Sequence, residues 1–374
     1  MSGNNIAILL DSAPLTWTSQ EDRHLSLCQA LVARGDRPLL VFSEALAPEF
    51  AERLRGAGAE LAAINYGDGV VNYYRELRKL VQRYSINVAH IIFFDYFSAL
   101  PWIARLAGIP KIIYEMQNSG VFTATSWRKL LLRIRTRVMT RPATRVIAIS
   151  EFVKEQLVKG GLPAHKIVVR YLGVDPDRFA PDPSAREQWA KKFELAPKEL
   201  ILSTVSYLRP FKNPQVLVQM CKELAQRDVR ARLFVAGDGE MLPGLKEQTR
   251  QLAVEDRIVW LGNVADPRSL LQASDVFLLA SVGEAFGLVL AEGMACGSPI
   301  VGSRSGSLPE VVAEGQTGLL ATPLDAGSFA DAVERLAKDE DLRQSMSAQA
   351  VERVRELFTV QRAVDETLRI YDSL

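Results

Sequence analysis

The sequence predicts an α/β protein made of two doubly wound domains. Short apolar runs rich in β-branched residues alternate along the chain with segments of helical periodicity. This alternation is typical of parallel sheets with helices on both faces. The length of 374 residues suits two domains. A proline-rich stretch over residues 175–184 interrupts regular structure near the middle of the chain.

Each domain is expected to contain its own series of short strands, separated by helical segments. In the first half the predicted strands are Ile6–Leu10, Leu39–Phe42, Leu61–Ile64, Val88–Phe93, Lys111–Glu115, Arg145–Ile149 and Ile167–Tyr171. In the second half they are Leu200–Val205, Ala231–Ala236, Ile258–Leu261, Val276–Ala280, Pro299–Val301 and Gly318–Ala321. The proline-rich stretch places the first domain over residues 1–180 and the second over residues 181–359.

The charge is distributed unevenly between the two halves. The formal net charge of +1 gives no indication of a polyanionic partner, and we expect no binding to nucleic acid. Residues 1–180, however, carry 23 Lys and Arg against 16 Asp and Glu. This excess suggests that the first half meets something negative or lies near an anionic surface.

Cysteine spacing and hydropathy predict a cytoplasmic protein. Cys28, Cys221 and Cys296 lack metal-ligand or redox spacing, which suits small buried residues in a reducing compartment. The first apolar run stops at Asp11, so no secretory signal is expected. No apolar run approaches the roughly 20 residues that would span a bilayer.

The most informative segment, residues 280–318, places Glu284 and Glu292 around the start of a helical run. A strand, a turn containing Gly287 and a helix form an anion site, because free amides point outward from a helix start. Eight residues at the helical rise separate the two carboxylates by roughly 12 Å. Glycosidase pairs stand closer, at about 5 to 9.5 Å. The pair suits two clamps on an elongated ligand such as a nucleotide sugar; two solvated glutamates on an ordinary crossover helix are the alternative.

The same segment carries a family motif. Its matching positions are Ala280-Ser281, Glu284, Phe286-Gly287, Glu292, Met294-Ala295, Gly297 and Pro299, followed by Gly306, Ser307, Pro309 and Glu310. This pattern resembles that of the retaining glycosyltransferases of family 4, and the resemblance extends along nearly the whole chain. It implies the GT-B fold, in which two Rossmann-like doubly wound domains face each other across a cleft. It also implies an acceptor-side first domain, a nucleotide-sugar-binding second domain, and a C-terminal helix over residues 360–374 that returns to the first.

The resemblance also implies which residues hold the donor. Arg209 and Lys212 would bind the diphosphate, together with the amides of Gly287 and Leu288; Lys212 matches the family lysine, whereas Tyr207 stands at the family arginine and Arg209 lies two residues later. Glu284 would hold the sugar hydroxyls and Glu292 the ribose. The remaining donor-binding residues implied are Phe286, Gly237 and Val264. The last two lie in turns near the nucleobase of a donor that is expected to be a UDP- or GDP-linked sugar.

The first domain departs from the family pattern. Thr18 and Ser19 occupy the positions of the usual glycine pair, and Gln117 stands where a histidine near the sugar is common. Asp95, at the end of a predicted strand, is a further candidate for the acceptor side. His90 lies within that strand, and both a satisfied core histidine and a catalytic base remain open for it.

Residues 126–145 carry seven cations and no acid, with apolar residues at helical spacing. A basic amphipathic helix of this kind can lie on an anionic membrane, which would make the protein peripheral to its inner face and favour a lipid-linked acceptor. The alternative is a helix whose apolar face docks on its own sheet while its basic face is solvated.

The expected function is metal-independent retaining transfer of a hexose-type sugar from a nucleoside-diphosphate donor to a hydroxyl of a glycan, a lipid-linked glycan or a small molecule. Two alternatives share the fold: a sugar-nucleotide epimerase and a non-catalytic nucleotide-sugar-binding subunit. A nicotinamide-dependent dehydrogenase is disfavoured, because no G-x-G-x-x-G follows the first strand.

Overall fold

The computed structural model describes residues 3–11, 13–14, 17–92, 98–118 and 126–374, without the side chains of residues 126–129 and 132. The chain forms two compact units. The first contains the described residues up to Gly173 together with Val360–Leu374, and the second is Val174–Thr359. The first and last residues of the second unit, Val174 and Thr359, form a parallel β-bridge.

The first unit is built on a seven-stranded parallel sheet in the order β3-β2-β1-β4-β5-β6-β7. Its strands are β1 Asn5–Leu10, β2 Arg37–Phe42, β3 Glu60–Ala63, β4 Val88–Ile92, β5 Lys111–Met116, β6 Arg145–Ala148 and β7 Ile167–Val169. Its helices are α1 Ser19–Ala33, α2 Pro48–Gly56, α3 Val70–Tyr84, α4 Leu100–Ala107, α5 Ser126–Met139, α6 Glu151–Lys159 and the C-terminal helix, α15, Val360–Asp372.

The second unit is built on a six-stranded parallel sheet in the order β10-β9-β8-β11-β12-β13. Its strands are β8 Leu200–Val205, β9 Ala231–Ala236, β10 Ile258–Gly262, β11 Val276–Leu279, β12 Ile300–Ser303 and β13 Gly318–Ala321. Its helices are α7 Ala185–Lys192, α8 Pro214–Gln226, α9 Leu242–Gln251, α10 Arg268–Ala273, α11 Leu288–Ala295, α12 Leu308–Val311, α13 Ala326–Lys338 and α14 Glu340–Leu357.

The predicted strands agree with the described ones to within two residues at each end, and one of the small differences has a clear physical reason. β12 begins at Ile300 and not at Pro299, since proline has no amide to donate to the ladder. Pro299 contributes only its carbonyl, which accepts from the amide of Phe277 at 2.9 Å. The prediction that β4 reaches Phe93 concerns a residue outside the described part of the chain.

A buried carboxylate, Glu115 on β5, joins several elements of the first unit. Its oxygens pair with Arg23 of α1 at 2.8 Å and with Arg170, which follows β7. Burial favours the neutral acid, but Arg170 and Arg23 outweigh that effect and hold the pKa of Glu115 well below its ordinary value. The carboxylate is therefore ionised, and it holds the helix α1 against the sheet.

His90 of β4 extends this cluster to the C-terminal helix. Its Nε2 lies 3.1 Å from Glu115 and its Nδ1 lies 2.7 Å from the hydroxyl of Tyr371 on α15. Because an ionised carboxylate only accepts, Nε2 carries the proton and Nδ1 accepts from Tyr371. Burial lowers the pKa of His90, so the ring stays neutral. His90 is a satisfied core histidine, which is one of the two interpretations that its sequence position left open.

The buried histidines predict an acid sensitivity of the fold. Burial, together with nearby Arg23, lowers the pKa of His24 from 6.5 to about 3, so the unfolded chain binds a proton here at a higher pH than the folded protein does. Stability therefore falls as the pH drops below about 6.5, with a loss of about 2 kcal/mol between pH 7 and pH 5. We expect the melting temperature of the wild type to fall with the pH in the same range. In His24→Gln the melting temperature should fall less steeply with pH.

The control is His165→Gln, which removes an exposed histidine. Calorimetric melting at pH 7, 6 and 5 compares the three proteins. The wild-type slope is expected to persist in His165→Gln. An unchanged slope in His24→Gln would contradict the assignment, whatever the absolute stability of that variant.

Candidate functional site

The topology of the second unit places a crevice at the carboxyl ends of β8 and β11. The strand order reverses between these neighbours, because β9 and β10 follow β8 on one side while β12 and β13 follow β11 on the other. Open parallel sheets bind ligands at this reversal, since the two connecting segments leave in opposite directions. The segment after β8 contains a short 3₁₀ turn, Pro210–Lys212, and the segment after β11 leads into α11.

An ion pair joins these two segments. The Nζ of Lys212 lies 2.6 Å from Oε2 of Glu284, and the two side chains are only 17% and 14% exposed. Partial burial strengthens the attraction, because the pair is less screened than one in open solvent. Two of the three residues predicted to be catalytic are thus in direct contact, although 72 positions separate them in the chain.

The backbone around Glu284 is held from both sides. The amide of Val282 donates to the carbonyl of Phe211 at 2.9 Å, which ties the loop to the 3₁₀ turn. On the other side the amide of Gly283 donates to Ser305 Oγ at 3.1 Å, and the amide of Ser307 donates to the carbonyl of Glu284 at 2.9 Å. These bonds fix the main chain from which the Glu284 carboxylate projects. Ser305 was not predicted as a site residue. Its only mark in the sequence is its place next to Gly306.

Gly306 is required by the close approach of this support. Its φ is +63°, and a Cβ there would lie 2.5 Å from both the amide nitrogen and the carbonyl oxygen of Glu284. A side chain would push the Glu284 loop out of position.

The start of α11 offers free amides. Gly287 occupies the N-cap with φ 77° and ψ 59°, and among the described residues no side chain caps this end by a hydrogen bond. The first amides of the helix, beginning with that of the half-buried Leu288, are thus available to an anion. Gly287 and Leu288 are the residues whose amides were predicted to bind the diphosphate, and that role stays a prediction.

The basis for the predicted separation of Glu284 from Glu292 needs a correction. The roughly 12 Å estimate placed Glu284 in the loop but applied the helical rise to all eight residues, whereas the helix begins only at Leu288 and Gly287 has a left-handed conformation. Only about 6 Å of axial rise separates Leu288 from Glu292, which is half-buried in the second turn. The loop therefore sets the relation of the two carboxylates.

Phe286 also needs a correction, because it was predicted to bind the donor. Its side chain is 1% exposed and packs edge-to-face on Phe358, with ring centroids 5.6 Å apart. A side chain in that position anchors the loop in the core and does not face a ligand.

A cavity of about 580 Å³ lies beside the ends of β8, β9 and β10. Gly237 and Val264 line it, together with Val205, Ser206, Tyr207, Ala236, Asp238, Gly239 and Asn263. A Cβ on Gly237, whose φ is +141°, would lie 1.9 Å from the carbonyl oxygen of Ser206, so only glycine fits there. The volume lies within the range of small-ligand pockets.

Arg209 lies apart from the ion pair. Its guanidinium is 4.5 Å from the ring centroid of the exposed Tyr207, an arrangement suited to a cation–π contact. The side chain is exposed at the start of the 3₁₀ turn that also contains Lys212. Arg209 and Lys212 therefore belong to one short segment, but only Lys212 contacts Glu284.

The acceptor-side residues predicted in the first unit have local partners. Thr18 is the N-cap of α1, and with Glu21 it forms a capping box. The spacing Thr-x-x-Glu is the sequence signal of such a cap, and it would have identified this role. Ser19 is 1% exposed. Thr18 and Ser19, predicted on the acceptor side, thus stand at the start of a helix, and their part in acceptor binding stays a prediction.

Gln117 is held by the cluster beneath it. Its amide nitrogen donates to Glu115 at 2.6 Å, and its oxygen accepts from Gln20 at 3.1 Å. Reaching a sugar would require Gln117 to exchange these bonds. Asp95, the remaining acceptor-side candidate, lies outside the described residues.

The aspartates of the connecting stretch form a turn. Asp175 Oδ1 accepts from the amides of Asp177 and Arg178 at 2.9 and 3.2 Å, so this carboxylate stabilises the local turn. Within the described ranges, no group of three or more His, Cys, Asp or Glu side chains has an arrangement that could hold a metal ion. No helix in the described part of the chain combines the length and apolar character needed to cross a bilayer.

Comparison with known proteins places the chain in a family. Two family models match: Glycosyl transferases group 1 over residues 185–353 and Glycosyltransferase Family 4 over residues 22–178. The D-inositol 3-phosphate glycosyltransferase of Actinosynnema mirum is 31% identical over 293 residues, which are 72% of this chain and 68% of that protein. The chain belongs to glycosyltransferase family 4.

Two further similarities bear on this family 4 chain. The N-acetyl-alpha-D-glucosaminyl L-malate synthase of Bacillus anthracis is 38% identical over 184 residues, 49% of this chain and 48% of that protein, so the match spans about half of that relative. The crystal structure of Anabaena Alr3699/HepE in complex with UDP and glucose has a TM-score of 0.82 at 21% identity, covering 98% of this chain and 99% of that chain. The fold is GT-B.

The glycine support of the Glu284 loop in this family 4 chain is testable by Gly306→Ala. The added Cβ collides with the Glu284 backbone, so the hydrogen bonds of the Gly283 and Ser307 amides are expected to weaken. Hydrogen exchange at these two amides should accelerate by about tenfold or more, as expected for a loss of one net hydrogen bond.

Gly315→Ala is the matched control, because Gly315 has a φ of +78° but nothing within 4 Å of its built Cβ. It imposes the same kind of backbone strain without the collision. Equal exchange rates in the two variants would show that strain, and not the close approach to Glu284, controls the loop.

Proposed function

We propose that this protein is a retaining glycosyltransferase that moves a hexose-type sugar from a nucleoside-diphosphate donor to an acceptor hydroxyl. The observation that carries the proposal is the Lys212–Glu284 pair beside the uncapped start of α11, at the strand reversal of a family 4 chain. A cation and free amides suit a diphosphate, whereas a carboxylate suits the hydroxyls of a sugar.

On donor binding, the two partners of the pair take separate tasks. Lys212 moves its charge from Glu284 to the diphosphate, and Glu284 accepts hydrogen bonds from the sugar hydroxyls. Arg209, three residues before Lys212, supplies a second cation by leaving the ring of Tyr207. The amides of Gly287 and Leu288 complete the anion site. We propose that these groups neutralise the diphosphate without a metal ion.

The transfer itself needs no protein nucleophile in this proposal. The bond from the sugar C1 to the diphosphate oxygen breaks, and the acceptor oxygen bonds to C1 on the same face. The acceptor proton passes to the departing phosphate oxygen, so charge and atoms balance. The protein accelerates the step by positioning the reactants and by stabilising the negative charge that grows on the leaving diphosphate.

The cavity lined by Gly237 and Val264 is proposed to hold the base, and Glu292 the ribose. Close backbone approach at Gly237 favours recognition through main-chain groups. The donor is proposed to be UDP- or GDP-linked; the presence of UDP and glucose in the HepE complex supports the uridine form.

The acceptor is proposed to be a hydroxyl on a small molecule, a glycan or a lipid-linked glycan that also carries an anionic group. The names of two relatives specify L-malate and D-inositol 3-phosphate, which bear carboxylate or phosphate. Residues 1–180 contain 23 basic and 16 acidic side chains, and this positive excess complements an anionic acceptor.

A donor panel tests the proposal. Thermal-shift measurements with UDP- and GDP-linked hexoses identify the donor. Turnover of that donor with anionic and with neutral acceptors is then measured by analysing the products. We expect a new glycoside with the anomeric configuration of the donor. Inversion of configuration would overturn the retaining mechanism, conversion of the donor alone would indicate an epimerase, and tight binding without turnover would indicate a binding subunit.

The role of Lys212 is testable by Lys212→Gln. Removing one charge that stabilises the leaving diphosphate is expected to lower kcat by about 100-fold or more. Lys246→Gln, which removes an exposed lysine of α9, is the control. A normal kcat in Lys212→Gln, with the control also normal, would show that the ion pair is only structural.

A further inference from the structure

The helix α5 exposes apolar side chains where a water-soluble surface would carry polar ones. Leu130, Leu131, Ile134 and Val138 are 60%, 56%, 52% and 45% exposed. All four belong to the segment whose apolar residues were expected, in one interpretation, to dock on the sheet. The structure excludes that interpretation for these four residues.

The exposed apolar residues form a single stripe along the helix. At about 100° per residue they span an arc of roughly 100°. Thr136 and Thr140, which are 0% and 4% exposed, lie on the opposite side and face the body of the first unit. Among the described side chains of the helix, Thr136 is buried and Met139 is half-buried on that side, whereas the four apolar side chains of the stripe point outward.

Contacts from neighbouring elements fix the helix in this orientation. The indole nitrogen of Trp102, on α4, donates to the carbonyl of Val138 at 2.8 Å. Just beyond the helix, Arg105 donates to the carbonyl of Pro142 at 3.1 Å, and Lys166 donates to that of Ala143 at 3.0 Å. The apolar stripe is therefore held outward by a helix end that is tied to the unit.

Arginines border the stripe. The exposed side chains of Arg133 and Arg137 lie on one edge and that of Arg135 lies on the other, as helical spacing dictates. Residues 126–145 contain seven Lys and Arg and no acid. An apolar stripe with cations along both edges matches a bilayer interface, where apolar side chains enter the acyl boundary and arginines reach the phosphates.

We propose that α5 docks the protein on an anionic lipid surface, with the helix lying in the plane of the interface. Charge complementarity decides the occupant. A second copy of the same face would bring arginines against arginines, and a nucleic acid would leave the apolar stripe without a partner. The 14-residue helix rises only about 21 Å, so it lies on the bilayer and does not span it.

Vesicle sedimentation tests this proposal with the full chain. The wild-type protein should sediment with vesicles of equal parts phosphatidylglycerol and phosphatidylcholine at low ionic strength, and not with phosphatidylcholine alone. The double variant Leu131→Ser/Ile134→Ser is expected to lower the partition coefficient by at least about tenfold. Arg133→Gln/Arg137→Gln should lower it by about fivefold for each arginine removed, and added salt should lower it further.

Matched variants on α3 control for general effects. Val71→Ser removes an apolar side chain that is 63% exposed, and Arg75→Gln/Lys79→Gln removes two exposed cations. Both should sediment like the wild type. Because these positions belong to the first unit and the proposed donor site belongs to the second, nucleotide binding by calorimetry should stay unchanged in every variant, which keeps this inference separate from the proposed function.

Several outcomes would overturn the proposal. The wild type could fail to sediment with anionic vesicles, or sediment equally with neutral ones. The serine double variant could partition like the wild type. A concentration-dependent dimer that the serine variant abolishes would assign the stripe to a second copy. Binding to nucleic acid that depends on the arginines alone would assign the surface to that partner.

Discussion

The ion pair between Lys212 and Glu284 is the contact on which the candidate site depends. Parallel strands bring it about, because the segments after β8 and β11 leave the same edge of the sheet at the point where the strand order reverses. The proposed function gives the cation to the diphosphate and the carboxylate to the sugar, and both side chains are partly buried. Without a ligand the two charges satisfy each other, so neither is left unpaired in a site of reduced dielectric.

This pairing has a cost and a benefit for a ligand. In the proposed function a donor breaks this contact before it uses either group, which lowers the net affinity. In return both side chains are already held beside the proposed site, and less rotamer freedom remains to be lost on binding. The backbone bonds to Phe211 and Ser305, with the required glycine at 306, extend the same preorganisation to the main chain.

The first unit relies on a different buried charge. Glu115 holds two arginines and, through His90, the hydroxyl of Tyr371, so one carboxylate links helices from the two ends of the sequence to the sheet. Removing it would leave two buried guanidinium groups unpaired, which is far more costly than losing a surface salt bridge. Gln117 rests on this cluster, and its position therefore follows from the fold and not from a ligand.

The sequence predicted the strands well because a buried parallel strand is a continuous apolar run between turn residues, a local property. It proposed Lys212 and Glu284 as site residues but did not predict their contact, which depends on two distant segments meeting. The direction of a side chain in irregular structure was harder. Phe286 was assigned to the ligand although it fills the core, since nothing in the local pattern tells which way a loop phenylalanine points. Thr18 had a local signal, its capping spacing with Glu21, which predicts its place at a helix start and which the family pattern did not bring out.

The helix α5 shows the limit of periodicity most clearly. Its pattern predicts an amphipathic helix correctly, yet the same pattern suits a helix docked on its sheet and a helix docked on lipid. What separates the two is which face the neighbours cover, and that is decided by Trp102, Arg105 and Lys166 from other parts of the unit. With Thr136 and Thr140 turned inward, the apolar stripe has no covering surface within the described part of its own unit. Amphipathicity is thus a property of the segment, whereas the fold decides whether the apolar face is covered by the protein itself.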